Sequence, residues 1–218
     1  MSEERIASGQ GKVSENLSLD LLLAGDIVEL RPMQLGHVDG LIAAASSGEL
    51  WNLRYTNVPK PSTMRDMVEH ALQQRECGSE FPFVVHLKST GEVVGTTRYY
   101  YIEPNNRNMS IGFTWYAEKF HRSGVNTESK YLLLNHAFDV MNCISVQWHT
   151  DHRNKRSQAA IKRLGATFEG VLRNHKIMPD GVIRHTHCFS MLDTEWPESK
   201  DYLQSRLLHY KNNNKSMV

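Results

Sequence analysis

The sequence predicts a single α+β (mixed α/β) domain whose central sheet has about seven strands, mostly antiparallel, flanked by helices. Three observations carry this. Segments with period-two and helical patterning follow the order β-α-α-β-β-β-α-β-α-β-β-α. Turn signals join several strands directly, and only one β-α-β crossover occurs, in the middle of the chain. A fully parallel doubly wound sheet needs a crossover for every strand, so that class is excluded.

The elements follow in order. "IVELRPM" (27–33) alternates apolar and polar residues and reads as a strand, and Leu35, Val38, Leu41, Ile42 and Ala45 then fall at helical spacing. A second helix starts after "PKPS" with a capping box, Thr63 and Asp66. Its stripe is Met64, Met67, Val68, Ala71 and Leu72, and it ends near Gly78. "FPFVVHL" (81–87) and "EVVGTTRYYYIE" (92–103) flank a Ser-Thr-Gly turn as a hairpin, and "RNMSIGFTWYA" (107–117) adds a third strand. A helix over 126–141 presents Leu134, Ala137, Phe138 and Met141 on one face. A buried strand "ISVQWHT" (144–150) and a short helix over 154–165, closed by Gly165, come next. "FEGVLRNHKIM" and "VIRHTHCFSML" form a hairpin around "PDG", and a last helix begins near Glu195.

Composition sets limits. Of 218 residues, 40% are hydrophobic and 22% charged, which suits one globular domain with a real core. The net charge of +1 gives no global pull toward nucleic acid or a membrane surface. No apolar run approaches the roughly 20 residues that span a bilayer, and the polar start is no secretory signal. Cys77, Cys143 and Cys188 are too scattered for a disulfide framework or a zinc pattern, so no metal is expected. The expectation is a soluble cytoplasmic protein with a flexible arm over 1–17, one domain over 18–210 and a polar tail over 211–218. The sequence leaves the oligomeric state open, a homodimer being no more than a mild guess.

One stretch carries chemistry. "FHRSGVNTESKYLLLNHAF" (120–138) runs from a polar loop with one glycine straight into a helix. Unpaired N–H groups and the positive end of the helix dipole gather at such a start, and Gly124 lets the backbone come close to a ligand. Arg122 and Ser123 add a charge and a hydroxyl, so a pyrophosphate fits. The plainer alternative is a tight turn with Thr127 as the helix cap. No G-x-G-x-x-G follows a strand, which sets aside a Rossmann-like nucleotide site.

The region 107–165 resembles the acetyl-CoA-binding core of the GNAT superfamily of N-acetyltransferases, with "HRSGVN" in place of the family's loop. "NKRS" and "LGATFEGVLR" downstream are similar to the RimJ/RimL-type branch, which acetylates protein N-termini and related amines. The resemblance spans roughly residues 26–196. His121 and Asn126 depart from the loop pattern, at its arginine/glutamine and final glycine/alanine positions. It implies acetyl-CoA as cofactor, with its pyrophosphate on Arg122, Ser123, Gly124, Val125, Asn126 and Thr127. Its pantetheine arm would lie along Gly112, Phe113, Thr114 and Trp115, where a backbone N–H polarises the thioester carbonyl. Asn154 and Ser157 would close the site from the short helix, where they share a face with Ile161. Many relatives carry a tyrosine at the Ile161 position to protonate the leaving thiolate. Ser157 is the catalytic candidate instead, with helix capping as its plainer role.

Arg156, Lys162 and Arg163 are further candidates for the cofactor's phosphates. The general base is not readable: several relatives carry a glutamate near Ser110, and here Glu103, His149, His175, Asp180 and His187 remain open. On the acceptor side, Trp51, Arg54 and Tyr55 stand in a polar loop, and alternation sends Arg98 and Tyr100 to one sheet face. Trp51, Tyr55, Arg98 and Tyr100 are the substrate-binding candidates, with aromatic packing between helix and sheet as the plainer alternative. The expected function is direct acetyl transfer to a primary amine, a protein N-terminus or a small molecule. The alternative is an acyl-CoA-binding regulatory protein that has lost catalysis.

Overall fold

The computed structural model describes residues 16–52, 58–178 and 180–215, with side chains described as far as residue 211. Residues 1–15 of the expected arm, Arg54 and Tyr55 of the acceptor loop, and the end of the tail beyond 215 lie outside the described residues.

The chain forms β1 (Leu23–Ala24), β2 (Val28–Pro32), α1 (Val38–Ser46), α2 (Met64–Glu76), β3 (Glu80–Leu87), β4 (Val93–Glu103) and β5 (Asn108–Tyr116). There follow α3 (Val125–Asn135), β6 (Ser145–Asp151), α4 (Lys155–Lys162), β7 (Thr167–Ile177), β8 (Ile183–Leu192) and α5 (Trp196–Lys215). The helix–strand order is the expected one, with one strand added. β1, two residues long, gives no periodicity to read. α5 runs on into the segment expected as a tail.

The eight strands make one sheet in the order β1-β2-β3-β4-β5-β6-β8-β7. Of its seven neighbour pairs, β5–β6 alone is parallel, as a single crossover through α3 requires. Two cores lie on the two faces. Val38, Leu41, Met64, Val68 and Ala71 of α1 and α2 gather on one, around Val84 of β3. Leu133, Leu134, Ile161 and Leu203 of α3, α4 and α5 gather on the other, around Phe83, Tyr99, Val146 and Phe189. β3 is buried on both sides, which is why "FPFVV" reads as a continuous apolar run. Full burial of a side chain such as Phe83 contributes roughly 1.5–3 kcal/mol over leaving it exposed.

Two local expectations change. The capping box at Thr63 does not form: Pro61–Thr63 make a 3-10 turn leading into α2, and the Thr63 hydroxyl donates back to the Lys60 carbonyl at 3.3 Å. α3 begins at Val125 with Gly124 as its N-cap, so Thr127 lies inside the helix and is no cap. The helix then passes into a π-helical turn, His136–Val140, whose Asp139 accepts from Trp196 Nε1 at 2.9 Å and pairs with Lys200.

Candidate active site

The parallel ladder between β5 and β6 is short. Asn108, Met109 and Ser110 face Ser145, Val146 and Gln147, and then it stops. Beyond that point β5 stays with β4 as far as Tyr116, and β6 stays with β8 as far as Asp151. The two strands therefore splay and open the sheet in its middle. Phe113 sits at the opening with φ of 51°, and the β4–β5 register shifts between Thr96 and Arg98, opposite it, as at a bulge. A cavity of about 890 Å³ runs through this gap, bordered by the loop before α3, by α4, and by β7 and β8 beyond.

The loop presents α3 to that cavity. Gly124 has φ of 84° and no side chain, so nothing caps the helix from that position. The N–H groups of Val125, Asn126 and Thr127 belong to the unpaired first turn. Behind them Glu128, buried, accepts from the N–H groups of Asp26 (3.0 Å), Ile27 (2.6 Å) and Val28 (2.7 Å) and ties the helix start to the β1–β2 turn. A Cβ on Gly25 would run into the Glu128 carboxylate, so that turn needs glycine. Ser123 Oγ donates to the Phe120 carbonyl at 2.6 Å, and His121 Nε2 lies 3.0 Å from the Tyr116 carbonyl, which together shape the loop.

On α4, Asn154 Oδ1 accepts from Ser157 N–H at 2.9 Å and caps the helix. The Ser157 hydroxyl has no protein partner among the described residues and lines the cavity. Arg122, Arg156, Arg163 and Arg206 line the same end, and none of them has a carboxylate partner among the described residues. His121 is held below the usual imidazole value by burial first and by Arg156 second.

A buried amine completes this side. Lys130, on α3, donates to Thr97 Oγ1 at 2.9 Å and to Thr114 Oγ1 at 2.6 Å, and the two hydroxyls are 2.7 Å apart. No carboxylate partner accompanies it among the described residues, and burial pushes its ammonium down to about 7. Lys130 lines the cavity with its third donor uncommitted.

Across the gap, Tyr100 Oη lies 3.0 Å from His149 Nδ1, and Phe113 packs edge-on to Tyr100 with ring centroids 5.3 Å apart. Burial, then the charges of His175, Arg184 and Lys176, hold His149 below the usual imidazole range. Burial likewise raises the Tyr100 phenol. Arg98 pairs with Glu80 at 2.6 Å and lies over the Phe113 ring at 4.2 Å.

Residues 28–167 match the family model described as "Acetyltransferase (GNAT) domain". The chain belongs to the GNAT acetyltransferase family. It is 25% identical over 170 residues to an N-acetyltransferase of Bacillus licheniformis, the uncharacterized p20, covering 77% of this chain and 93% of p20. A solved GCN5-related N-acetyltransferase from Brucella melitensis is 28% identical, with a TM-score of 0.78 over 88% of this chain and 87% of its own. RimL, a ribosomal L7/L12 α-N-protein acetyltransferase solved in complex with coenzyme A, shares the fold at 19% identity. Its TM-score is 0.68, over 79% of this chain and 98% of that one.

The GNAT fold brings most of the sequence-predicted residues together. Gly112, Phe113, Thr114, Trp115, Arg98 and Tyr100 line the cavity, as do Arg122, Ser123, Gly124, Asn126 and Thr127 from the loop and Asn154 and Ser157 from α4. Val125 is buried in the core and offers only its backbone. Trp51 packs against the α1–α2 cluster, and its neighbour Leu50 reaches the cavity in its place. Of the open base candidates, His149 and His175 line the cavity, and Glu103, Asp180 and His187 do not. Among the described residues no group of three or more His, Cys, Asp or Glu is placed to hold a metal, and no helix is long and apolar enough to cross a membrane.

Sequence reading missed Lys130 and Glu128. The signal for Lys130 was present: position 130 lies four residues before Leu134, on the apolar stripe of α3, where a lysine is out of place.

Proposed function

We propose that this chain is an acetyl-CoA-dependent N-acetyltransferase that transfers acetyl directly to a primary amine in a ternary complex. The splay of β5 from β6 carries the reading. It opens one cavity from the uncapped start of α3, through the sheet, to the face bearing Tyr100 and His149. A long donor fits from one side and an amine from the other.

The residues present suit acetyl-CoA, which supplies the activated thioester. The unpaired N–H groups of Val125, Asn126 and Thr127, with Arg122 and Arg156, hold the pyrophosphate. The freed backbone of β5 over Gly112, Phe113, Thr114 and Trp115 pairs with the pantetheine arm. A backbone N–H there polarises the thioester carbonyl. Asn154 and Ser157 border the arm from α4, and the Ser157 hydroxyl stabilises the leaving thiolate by hydrogen bonding.

His149 is the base. With its Nδ1–H donated to Tyr100 Oη, Nε2 carries the lone pair, and the depressed basicity of the ring keeps it neutral at pH 7. Arg98 and Tyr100 frame the acceptor's approach. The reading has no acyl-enzyme: none of Cys77, Cys143 and Cys188 lines the cavity, and burial raises the thiols of Cys143 and Cys188, so neither is a ready nucleophile.

The test is thiol release from acetyl-CoA with a panel of peptide N-termini, including acceptors of the kind RimL takes, and small amines. Turnover that depends on both substrates, with intersecting initial-rate patterns, is expected. Tight CoA binding with no turnover on any acceptor would sink the transferase reading. It would favour the regulatory alternative, to which Ile161 and Ser110 point by replacing the tyrosine and glutamate of many relatives.

A further inference from the structure

The charges around the cavity are unevenly matched. Two carboxylates line it among the described residues, and both are neutralised: Glu80 by Arg98 at 2.6 Å and Asp151 by Arg153 at 2.7 Å. Apart from Lys130, which is buried and held by the Thr97 and Thr114 hydroxyls, the unmatched cations fall into two groups. Arg122, Arg156, Arg163 and Arg206 stand at the donor end, where the phosphates of acetyl-CoA answer them. Lys176 and Arg184, with His149 and His175 beside them, stand at the other end, which acetyl-CoA phosphates do not explain.

Strand register fixes that second group on one face. Lys176 and Arg184 are direct partners across the β7–β8 hairpin, and Thr186, two residues on from Arg184, pairs with Leu172 and Asp151. Directly opposed residues share a face, so Thr186, Arg184 and Lys176 lie on the face that carries His149 and, through its hydrogen bond, Tyr100. α3 and α4 pack on the opposite face. Thr186 is fully buried and braces the cluster: its Oγ1 accepts from Arg184 Nε at 3.0 Å and sits 2.9 Å from His175 Nδ1. When the Thr186 hydroxyl donates to Nδ1, the neutral His175 ring keeps an Nε2–H. The terminal guanidinium nitrogens of Arg184 have no protein partner among the described residues. Arg184, Lys176 and His175 each depress the basicity of His149, and no carboxylate acts on it in the other direction.

We propose that the acceptor is an amine with a carboxylate close by, and that Arg184, Lys176 and His175 bind that carboxylate while the amine meets His149. This rests on the transferase reading and names its substrate class. A planar guanidinium opposite a lysine suits a carboxylate, which takes Arg bidentately. Such an anion comes from either a free amino acid or a peptide whose first residues are acidic, and matched acceptors separate the two.

The experiment measures kcat/KM at saturating acetyl-CoA for pairs differing only in the acid: amino acids against their amides, and peptides with Glu against Gln at the second position. Binding of the same acceptors to the CoA-loaded protein is measured by calorimetry. The acid member of one pair type is expected to win by about 10- to 100-fold. In Arg184→Gln and in Lys176→Gln, whose side chain is exposed and whose folding is not at stake, that ratio should fall toward one. Equal use of acid and amide by the wild type overturns the proposal, as does an unchanged ratio in both variants. Acid-selective binding lost in Arg184→Gln, without thiol release on any acceptor, would keep the carboxylate site and overturn the transferase reading instead.

Discussion

Lys130→Met separates what a buried amine costs the fold from what it gives the site. The ammonium titrates near 7 in the folded protein, against 10.5 for a free lysine. Between those values the unfolded chain binds the proton and the folded chain does not. Stability therefore rises with pH there, with a limiting slope of about 1.4 kcal/mol per pH unit. Integrated from pH 7 to pH 9, the lysine adds about 2 kcal/mol of pH-dependent stability. At pH 7 the folded protein still bears a deprotonation cost of about 4 kcal/mol, which methionine removes. The two hydrogen bonds lost are worth about 1 kcal/mol each, and Thr97 and Thr114 keep one another as partners. Removal of the charge outweighs them, so the variant should be more stable at pH 7 by about 2 kcal/mol. Urea unfolding of both proteins at pH 7, 8 and 9 measures this. Other groups titrate too: stability falls below pH 6.5 as the unfolded chain protonates His136, and above about pH 9 as it ionises Cys143. Both effects are common to the two proteins and cancel in the difference. Parallel pH profiles between 7 and 9 would refute the reasoning. If the cavity takes acetyl-CoA as proposed, the stability gained should come with weaker acetyl-CoA binding, by about tenfold, because methionine removes a polar group from its lining.

Three further outcomes are expected. Ser157→Ala should lower kcat about tenfold with little change in the KM for acetyl-CoA, since in the proposed reading the hydroxyl stabilises the leaving thiolate while Asn154 still caps α4; an unchanged kcat would remove Ser157 from the chemistry. Gly124→Ala forces φ of 84° on a residue with a Cβ, 3.0 Å from Ile27 Cδ1, and should weaken CoA binding about tenfold in a calorimetric titration. Glu128→Gln puts an amide where three backbone N–H groups converge and should cost roughly 2–3 kcal/mol in urea unfolding, with wild-type stability counting against its anchoring role.

What was legible in the sequence follows from which interactions leave a periodic trace. α2 announces itself because one face is apolar, the hairpins because turn residues separate strand-like runs, and the β5-α3-β6 crossover because a glycine loop separates two patterns. β1 is too short to show a period. The Thr63 capping box was chemically sound but lost to Pro61, which favours a 3-10 turn and turns the threonine hydroxyl back to Lys60. The residues proposed for the donor side could be named from the sequence because they are local in it: 112–115, 122–127 and 154–157. On the side proposed for the acceptor, Arg98, Tyr100, His149 and His175 were named but not as one cluster, and Lys176 and Arg184 not at all, because His149, His175, Lys176 and Arg184 come from three strands. Only the β6–β8–β7 register makes them neighbours.

The same contrast bears on the departures at His121 and Asn126, which the proposed phosphate site can absorb. A phosphate held there as proposed would depend on N–H groups that any residue but proline supplies, so the pattern constrains backbone shape, and the positive φ at Gly124 is the demanding position. His121 uses its ring to hold the Tyr116 carbonyl, at the end of β5 where the splay must be kept open. It braces the end of the strand along which the proposed donor would lie. Side-chain identity matters more on the far face, where the proposed acceptor site is built from the side chains of Arg184, Lys176 and the two histidines. Exchanging those residues should redirect the enzyme among amines, while the loop, α3 and α4 continue to bind the same donor.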